Sequence, residues 1–328
     1  MGLSFINCRI RTCFAFVFST GVLLLAGQPA FALDRITYVG TGSGNSADWV
    51  LYIARSKGFF KEHGLEIDLV GAQSTAAAMQ QVVGGSGQIG AGGLTEPLYA
   101  IDKGAKLALL RIEQGVPPYT LWAKPNVKTF NDLRGKTVIL GGAKDITRIY
   151  FERMVKPNGL KRGDYDEIYA GTTPARYAAL SSGGADAAIL LPPFSFRAQG
   201  QGYSLVGRLS DYVKDLPFTG FAVNPDWALA NKQTVVGFLR GYQRANEWFY
   251  APGNRDEAVQ IFVKESRQEQ ADVEATYDYL KSISAFTLDG TVTPGAIASL
   301  VKAISDEGDL TGPADPARFV NSEIAKLK

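Results

Sequence analysis

Two arginines stand near the starts of predicted helices, where a positive charge is unfavourable. Arg148 follows Asp145 in GGAKDITRIYFER, and Arg176 follows Thr173 and a proline in GTTPARYAAL. The first turn of a helix carries a partial positive charge that repels a cation. A bound carboxylate or sulfonate would offset this repulsion, and guanidinium groups hold such anions with paired hydrogen bonds. The two arginines therefore predict a site for an organic anion.

Each arginine also has an interpretation that needs no ligand. Arg148 could pair with Glu152, four residues later on the same helix, and Arg176 could be a surface arginine. Glu96, in GLTEP, could bind an amine of the ligand, or it could stabilise the helix that opens at Pro97. If Glu96 faces the arginines, the ligand would be zwitterionic.

Glycines and short polar side chains follow the strand-like runs and could complete the site. In open α/β sheets, ligands bind beyond the carboxyl ends of the strands, against helix N-termini. We expect the ligand-binding residues to be Gly42, Ser43, Asn45, Ser74, Thr75, Thr95, Glu96, Asp145, Arg148, Thr172, Arg176 and Pro193. Their hydroxyl and amide groups could instead cap helices or turns, which is the role we assign to Ser46 and Thr173.

Four aromatic residues could stack on an organic ligand, but aromatic residues at helical or strand spacing more often pack in a core. They are Trp49, Phe194, Phe218 and Phe221. His63 precedes a glycine at a predicted helix end, where a cation is favourable, so we interpret it as a helix cap.

The residue counts exclude several classes of chemistry. The chain has two cysteines, Cys8 and Cys13, and one histidine. Both cysteines lie in an N-terminal segment that we expect to be removed, so disulfides, His/Cys zinc sites and Ser–His–Asp triads are excluded as ordinary interpretations. The sequence has no GxxxxGK[ST] phosphate loop and no basic run for nucleic acid. We expect neither a cofactor nor a metal ion.

The N-terminus is typical of an export signal. Two arginines precede an apolar run over 14–26, and the segment closes on Ala-Phe-Ala at 30–32, a typical cleavage site. The apolar run is short for a membrane span. We expect residues 1–32 to be a signal peptide that is cleaved after Ala32; the alternative is an uncleaved anchor. The formal net charge of +2 then falls close to zero.

Two stretches of the chain share one order of elements. Residues 36–97 and 136–194 each predict strand, glycine-rich turn, helix, Gly-Leu stop, strand, turn, helix, glycine and strand. The repeat predicts an α/β fold with two lobes, each a mainly parallel sheet flanked by helices, and a ligand cleft between them. The predicted strands are 36–40, 65–70, 88–92, 107–112, 136–140, 166–169 and 185–191, and the predicted helices of the repeat are 46–57, 74–83, 145–155 and 173–181.

The last third of the chain changes to a helical pattern. Helices are predicted at 232–250, 254–265, 269–283 and 294–306. They have no strands of their own, so we expect them to pack on the first lobe. Lobe I then comprises 33–120 and 220–328, and lobe II comprises 121–219. The two crossings, near 117–125 and 216–224, are extended and contain proline, as hinges often do.

Four stretches resemble a known protein family: ARSKGFFKEHGLEIDLV (54–70), TFNDLRGKTV (129–138), AALSSGGADAAIL (178–190) and LDGTVTPGAIASLVKAISDEGDL (288–310). The chain resembles periplasmic substrate-binding proteins of the nitrate/sulfonate/taurine type, a family that also includes thiamine-precursor binding proteins. The resemblance implies the type II two-lobe binding-protein fold. It also implies capture of a small solute in the periplasm for an ABC permease and ATPase. The ligand needs a separate argument, because function depends on the site and not on the fold.

Four functions are compatible with such a protein. A transport protein would capture a sulfonate or carboxylate by hinge closure; alternatively, it would bind a neutral heterocycle, such as a pyrimidine thiamine precursor, and leave the arginines structural. An enzyme would be a periplasmic dehydratase, which needs a paired acid and base, or a relative of the eukaryotic pyrimidine synthase, which uses cysteines and a histidine. A sensor would bind solute without transport. We expect the first function, in a monomeric, non-enzymatic protein whose partners are the solute and an inner-membrane permease.

Overall fold

Ten short strands form two five-stranded sheets. The computed structural model describes residues 1, 2, 4, 33–42 and 44–328. The predicted signal peptide lies outside these residues, apart from positions 1, 2 and 4, and so does Ser43. The strands are β1 (Asp34–Thr41), β2 (Leu65–Ala72), β3 (Ile89–Gly93), β4 (Ala108–Gln114), β5 (Thr120–Ala123), β6 (Thr137–Leu140), β7 (Asp166–Tyr169), β8 (Ala187–Leu190), β9 (Ser204–Arg208) and β10 (Thr219–Val223).

The two sheets have the same topology. The first has the strand order β2-β1-β3-β10-β4 and the second β7-β6-β8-β5-β9. In the first sheet β1 runs parallel to β2 and β3, and β10 runs antiparallel to β3 and β4. In the second, β6 runs parallel to β7 and β8, and β5 runs antiparallel to β8 and β9. The reversed strand of each sheet is the one that the chain enters after crossing from the other sheet. Below, lobe I is the first sheet with its helices and lobe II is the second.

Helices flank both sheets. They are α1 (Trp49–Ser56), α2 (Thr75–Val83), α3 (Thr95–Asp102), α4 (Ile146–Val155), α5 (Thr173–Ser181), α6 (Phe194–Gly200), α7 (Pro225–Ala230), α8 (Lys232–Tyr250), α9 (Arg255–Ser266), α10 (Gln270–Ser282) and α11 (Pro294–Asp306). Ser74 and Asp145 cap α2 and α4 as their positions predict. The cap of α5 is Thr172 and not Thr173, which places Arg176 one position deeper in the helix than expected.

An aromatic cluster fixes the C-terminal helices to α1. Trp49 is fully buried, and its ring lies 4.3 Å from Phe262 and 5.7 Å from Phe249, measured between ring centroids. Tyr277 of α10 contacts the same indole, whose Nε1 donates to the Ala258 carbonyl at 3.0 Å. Helices α8 to α10 therefore belong to the core of lobe I, and Trp49 is a core residue.

The predicted two-lobe α/β fold is confirmed. The seven predicted strands correspond to β1 to β4 and β6 to β8, and the predicted helices of the repeat correspond to α1, α2, α4 and α5. Strand β9 was not predicted. Strands β5 and β10 were not predicted either, because they lie in the proline-bearing crossings that the sequence indicates only as extended.

Candidate functional site

A cleft lies between the lobes, where the carboxyl ends of strands face the starts of helices α2, α4 and α5. Its cavity volume is about 40 Å³, room for a few water molecules or a small polar group. The cleft is lined by Tyr38, Thr41, Asn45, Ala47, Asp48, Thr75, Ala91, Gly92, Gly93, Glu113, Tyr119, Asp145, Ile146, Gly171, Thr172, Thr173, Arg176, Leu191, Phe218 and Thr219.

The two lobes touch across this cleft. The Ser46 amide of lobe I donates to the Pro192 carbonyl of lobe II at 3.0 Å. A Cβ atom at Gly171 would lie 2.3 Å from the Gln73 carbonyl oxygen, so only glycine allows this approach of the two backbones. At the rim of the cleft, the Nε atom of Arg197 in α6 lies 3.4 Å from the carboxylate of Asp272 in α10. The structure is therefore a closed arrangement of the lobes.

Arg176 forms the lobe II wall of the cleft, and its residue exposure is 1%. Its Nε donates to the Ile189 carbonyl at 2.8 Å and its Nη1 to the Ala170 carbonyl at 3.2 Å. Its Nη2 donates to Thr173 Oγ1 at 2.9 Å and lies 3.5 Å from the Tyr119 hydroxyl. Both hydroxyls accept from the guanidinium, so their own protons remain available to the cleft.

The charge of Arg176 has no ionic partner within the described chain. No carboxylate oxygen of the described residues lies within 4.0 Å of its guanidinium nitrogens. Among the lining residues it is the only lysine or arginine. Carbonyl and hydroxyl oxygens orient the group but leave its net positive charge at the cleft.

The opposite wall, in lobe I, is acidic. Asp48 is 4% exposed, and burial raises the pKa of its carboxyl to about 7. Glu113 is 1% exposed and accepts hydrogen bonds from Tyr242 at 2.8 Å and from Thr219 at 2.9 Å. Burial raises the pKa of Glu113 to about 8, against the opposing effect of these two hydrogen bonds. Tyr38 lies near both groups, and burial followed by their negative charges raises the pKa of its phenol.

Two more carboxyl groups meet where α3 of lobe I approaches α4 of lobe II. Asp145 lines the cleft while it caps α4 and accepts from the Thr147 amide at 2.8 Å. Glu96 borders the cleft and accepts from the Thr95 hydroxyl at 2.7 Å. Burial, and then the charge of Asp145, raises the pKa of Glu96 well above its usual range. Both effects favour the protonated form of Glu96.

Arg148, which we expected to bind the ligand, is not among the residues that line the cleft. Its side chain is 4% exposed, and its Nη2 lies 2.6 Å from Glu307 while Nη1 lies 3.5 Å from Glu152. Asp309 is 3.8 Å away and also pairs with Lys144 at 2.6 Å. Acidic residues that follow α11 thus take up the charge that the helix dipole disfavours.

The other predicted residues divide into those that line the cleft and those that border it. Asn45, Thr75, Asp145, Thr172 and Arg176 line it. Gly42, Ser74, Thr95, Glu96 and Pro193 are not among the lining residues, and Ser43 lies outside the described residues.

Local roles account for the residues that only border the cleft. The Ser74 side chain accepts from the Ala77 amide as the cap of α2, and the Thr95 hydroxyl donates to Glu96. Pro193 is buried at the start of α6. Asn45, and not Ser46, caps the turn before α1 by accepting from the Ala47 amide at 2.9 Å.

Sequence reasoning missed Tyr38, Asp48, Glu113, Tyr119 and Thr219 as cleft residues. Glu113 offered a signal, because a carboxyl group inside the apolar run ALLRIEQ is unusual for a buried strand. Asp48 directly precedes the buried Trp49, so the sequence indicated a core position there and not a cleft residue. Among the four aromatics, Phe218 lines the cleft, while Phe194 packs beside Tyr177 at 5.6 Å between ring centroids.

Two general findings limit the kind of site. No group of three or more His, Cys, Asp or Glu side chains among residues 33–42 and 44–328 is placed to hold a metal ion. In the same part of the chain, no helix combines the length and apolar character that a membrane span requires.

The family of the chain follows from a sequence comparison. A family model described as NMT1/THI5 like matches residues 45–255, which include most of the cleft. The chain belongs to this family.

Relatives of the chain include proteins named as binding proteins. The Bacillus subtilis binding protein YtlA is 24% identical over 285 residues, which cover 84% of each chain. The alkanesulfonate-binding protein SsuA of Xanthomonas axonopodis pv. citri, solved with MOPS bound, has a TM-score of 0.73 at 18% identity. That match covers 88% of this chain and 98% of SsuA, and it shows a common fold. The predicted family resemblance is confirmed.

An enzyme is also among the relatives. The 4-amino-5-hydroxymethyl-2-methylpyrimidine phosphate synthase THI11 of Saccharomyces cerevisiae is 24% identical over 147 residues. The match covers 44% of this chain and 43% of the synthase, so it relates less than half of each protein.

The position of Arg148 predicts a structural role within the family fold. The substitution Arg148→Met leaves Glu152 and Glu307 without the buried cation that they share. The side chains of these two residues are only 27% and 17% exposed. We expect a loss of about 3 kcal/mol in the free energy of unfolding, at the lower end of the cost of breaking a buried pair. Urea unfolding measures it, with the exposed Arg208→Met as the control. An unfolding free energy equal to that of the wild type would contradict the structural role.

The pKa of Asp48 predicts the pH dependence of stability. In the folded state its pKa is about 7, above the value of about 3.9 in an unfolded chain. Between these values the folded state holds a proton that the unfolded state has lost, so stability falls as pH rises from about 4 to 7. We expect Asp48→Asn to remove on the order of 4 kcal/mol of this decline. Urea unfolding at pH 4.5 and 8 measures this change in the free energy of unfolding. The control is Asp68→Asn, which removes an exposed carboxylate. An equal change with pH in the wild type and in Asp48→Asn would contradict the prediction.

Proposed function

We propose that this chain is the solute-binding component of an importer and that it captures a small organic anion, a sulfonate or a carboxylate. The lobes close around the solute in the periplasm and present it to an inner-membrane ABC permease. Support comes from the family, from the relative named as an alkanesulfonate-binding protein, and from the export signal predicted at residues 1–32.

One observation carries the choice of an anion. The guanidinium of Arg176 is buried at the cleft and has no carboxylate of the described chain within 4.0 Å. A buried cation without an opposite charge is costly, and an anionic ligand removes that cost on binding. The protons of the Thr173 and Tyr119 hydroxyls, together with the N-terminus of α5, supply further donors to the same anion.

Closure follows from the division of the cleft between the lobes. Arg176 belongs to lobe II, whereas Thr75 and Asn45 belong to lobe I, so a ligand that contacts both walls is bound best when the lobes are closed. A ligand shifts the equilibrium only by its difference in affinity for the two states. Tyr119 and Phe218 immediately precede the crossing strands β5 and β10 and also line the cleft. The solute therefore contacts the hinges themselves.

We propose a binding role and not catalysis. A synthase that depends on cysteines and a histidine has no counterpart here, since the lining residues include neither type. Asp145 caps α4, and Glu96 is held by Thr95, so these two carboxyl groups have structural roles.

A pyrimidine-type heterocycle is the second candidate ligand. The observation that favours it is the acidic wall, because the carboxyl groups of Asp48 and Glu113 could hydrogen-bond a ring nitrogen and its amino group. In that case Arg176 orients the α5 turn and contacts no ligand. A thermal-shift panel of sulfonates, carboxylates and pyrimidines separates the two candidates, since a ligand at a hundred times its Kd adds about 2.7 kcal/mol of stability.

Arg176→Lys tests the anion site, and Arg148→Lys is its matched control. Both arginines lie in the first turns of lobe II helices, but only Arg176 lines the cleft. We expect Arg176→Lys to weaken binding of the stabilising sulfonate or carboxylate at least tenfold in calorimetry, because lysine cannot replace the oriented guanidinium. Arg148→Lys should leave the affinity within twofold. Circular dichroism verifies that both variants are folded; equal affinities would assign Arg176 to the scaffold.

Arg197→Gln tests closure without touching the ligand. The substitution removes the contacts of Arg197 with Asp272 and Gln268 across the rim, which exist only when the lobes are closed. A partly exposed pair of this kind contributes at most about 1 kcal/mol, so we expect affinity to fall two- to fivefold and small-angle scattering to show less compaction at subsaturating ligand. The control, Arg255→Gln, breaks an arginine–aspartate pair within lobe I. Unchanged scattering on ligand addition to the wild type would contradict closure.

A further inference from the structure

A second cavity lies in lobe I, between helix α8 and the edge strand β4. Its volume is about 440 Å³, and small-molecule sites in proteins span about 300–1,000 Å³. Strand β4, helix α8, residues 288–291 and residues 325–328 each contribute to its lining. None of the residues that line it lines the cleft. The proposed function therefore makes no use of this cavity.

Backbone contacts fix the wall that residues 288–291 form. The Ile112 amide of β4 donates to the Gly290 carbonyl at 2.8 Å. A Cβ atom at Gly290 would lie 2.2 Å from the Ile112 carbonyl oxygen and 2.5 Å from Arg111 Cγ, so only glycine allows this approach. The cavity is thus preformed, and a ligand does not have to order this wall.

Much of the lining is apolar. It includes Leu110, Leu239, Leu288, Ala325 and Leu327. Leu110 and Leu239 are buried, whereas Leu288 is 51% exposed. Covering Leu288 removes apolar surface from water, which favours a ligand with an apolar body.

Arg111 brings a cation to this apolar cavity. Its Nη2 donates to Gln243 Oε1 at 2.7 Å, to the Leu288 carbonyl at 2.9 Å and to the Thr287 carbonyl at 3.2 Å. Its Cζ lies 5.6 Å from the centroid of the Tyr242 ring. These contacts orient the guanidinium, and all three hydrogen bonds use a single nitrogen.

The charge of Arg111 has no ionic partner among residues 33–42 and 44–328. No carboxylate oxygen in that part of the chain lies within 4.0 Å of its guanidinium nitrogens. Its Nε is buried without an acceptor there, and its Nη1 makes no hydrogen bond there. Asp289 also lines the cavity, but its carboxylate accepts from the Thr291 amide at 3.1 Å. A partly buried cation of this kind favours an anion from outside.

The other charges around the cavity add to this preference. The charged lining residues besides Arg111 and Asp289 are Arg240, Arg244, Glu247 and Lys328. Arg244 pairs with Glu62, and Glu247 accepts from Gln243 Nε2 at 2.9 Å. Arg240 has no carboxylate within 4.0 Å in the described part of the chain. The uncompensated charges are therefore positive, and they attract an anion.

We propose that this cavity is a second ligand site, specific for a small amphiphilic anion: a carboxylate that carries a short hydrocarbon or aromatic body. The carboxylate binds at Arg111, and the apolar body packs against Leu239 and Leu288. The site is separate from the anion site proposed in the cleft, because Arg111 belongs to lobe I and Arg176 to lobe II.

The test is methyl NMR of the purified protein, labelled with ¹³C at the leucine methyl groups and titrated with hexanoate. Leu239 lines this cavity and Leu191 lines the cleft, so their signals report on the two sites separately. We expect a saturable shift at Leu239, with an affinity about tenfold or more above that of 1-hexanol or hexylamine, because charge-assisted hydrogen bonds contribute at least this much. No saturable shift at Leu239, or equal affinity for hexanoate and 1-hexanol, would overturn the site.

Two variants test the anion preference from different segments. Arg111→Gln removes the cation, and Leu288→Asp places a negative charge beside it at a position exposed enough to leave folding intact. Each should weaken hexanoate binding at Leu239 by about tenfold or more. The matched control, Val83→Asp, adds the same charge at an exposed valine outside the cavity and should leave the affinity within about twofold. Unchanged affinity in both Arg111→Gln and Leu288→Asp would contradict the proposal.

The cleft variant Arg176→Lys distinguishes this site from the proposed function. We expect it to leave the hexanoate affinity measured at Leu239 unchanged, whatever it does to the signals of Leu191. A shift at Leu239 that disappears in Arg176→Lys would be transmitted from the cleft and would overturn the second site. A shift at Leu239 that is lost in Arg111→Gln and retained in Arg176→Lys supports the second site, even if no anion binds in the cleft.

Discussion

Buried charge at the cleft is the constraint on which the rest of the arrangement depends. Arg176 is held by carbonyl and hydroxyl oxygens and not by a carboxylate, and Asp48 is buried without a partner in the described chain. Each group lowers the stability of the protein without ligand. The aromatic core of lobe I, centred on Trp49, adjoins the cleft, because Asp48 directly precedes Trp49 and Tyr38 belongs to both the core and the cleft lining. The packing of this core holds the cleft wall in place and offsets the cost of the buried charges.

The repeated topology places these charges on opposite walls. Both sheets have the same strand order, and in both the carboxyl ends of the parallel strands point to the cleft. The acidic groups come from β4 and the turn after β1 in lobe I, and the guanidinium comes from α5 in lobe II. The crossing strands β5 and β10 begin beside Tyr119 and Phe218, so the crossings between the lobes and the cleft lining meet at these residues.

The fold was predictable because its signals are local. Gly64 and Gly159 each end a helical turn with positive φ, of 71° and 78°, and both Gly-Leu pairs are evident in the sequence. Predicting the site was harder, because Arg148 and Arg176 share one local pattern and have different roles. What distinguishes them is Glu307, which follows α11 and is more than a hundred residues away in the chain. Asp48 and Glu113 were missed for a related reason, because they come together at the cleft from the turn after β1 and from β4, which are far apart in the chain.

The separation of charge between the lobes bears on how affinity and closure are linked. Neither lobe alone can satisfy a solute with two charged ends, because the guanidinium and the acidic wall lie on different lobes. Such a solute bound to one lobe leaves the charge on the facing lobe unsatisfied until the hinge closes. A solute that contacts groups on both lobes is therefore bound more tightly by the closed state than by an open one.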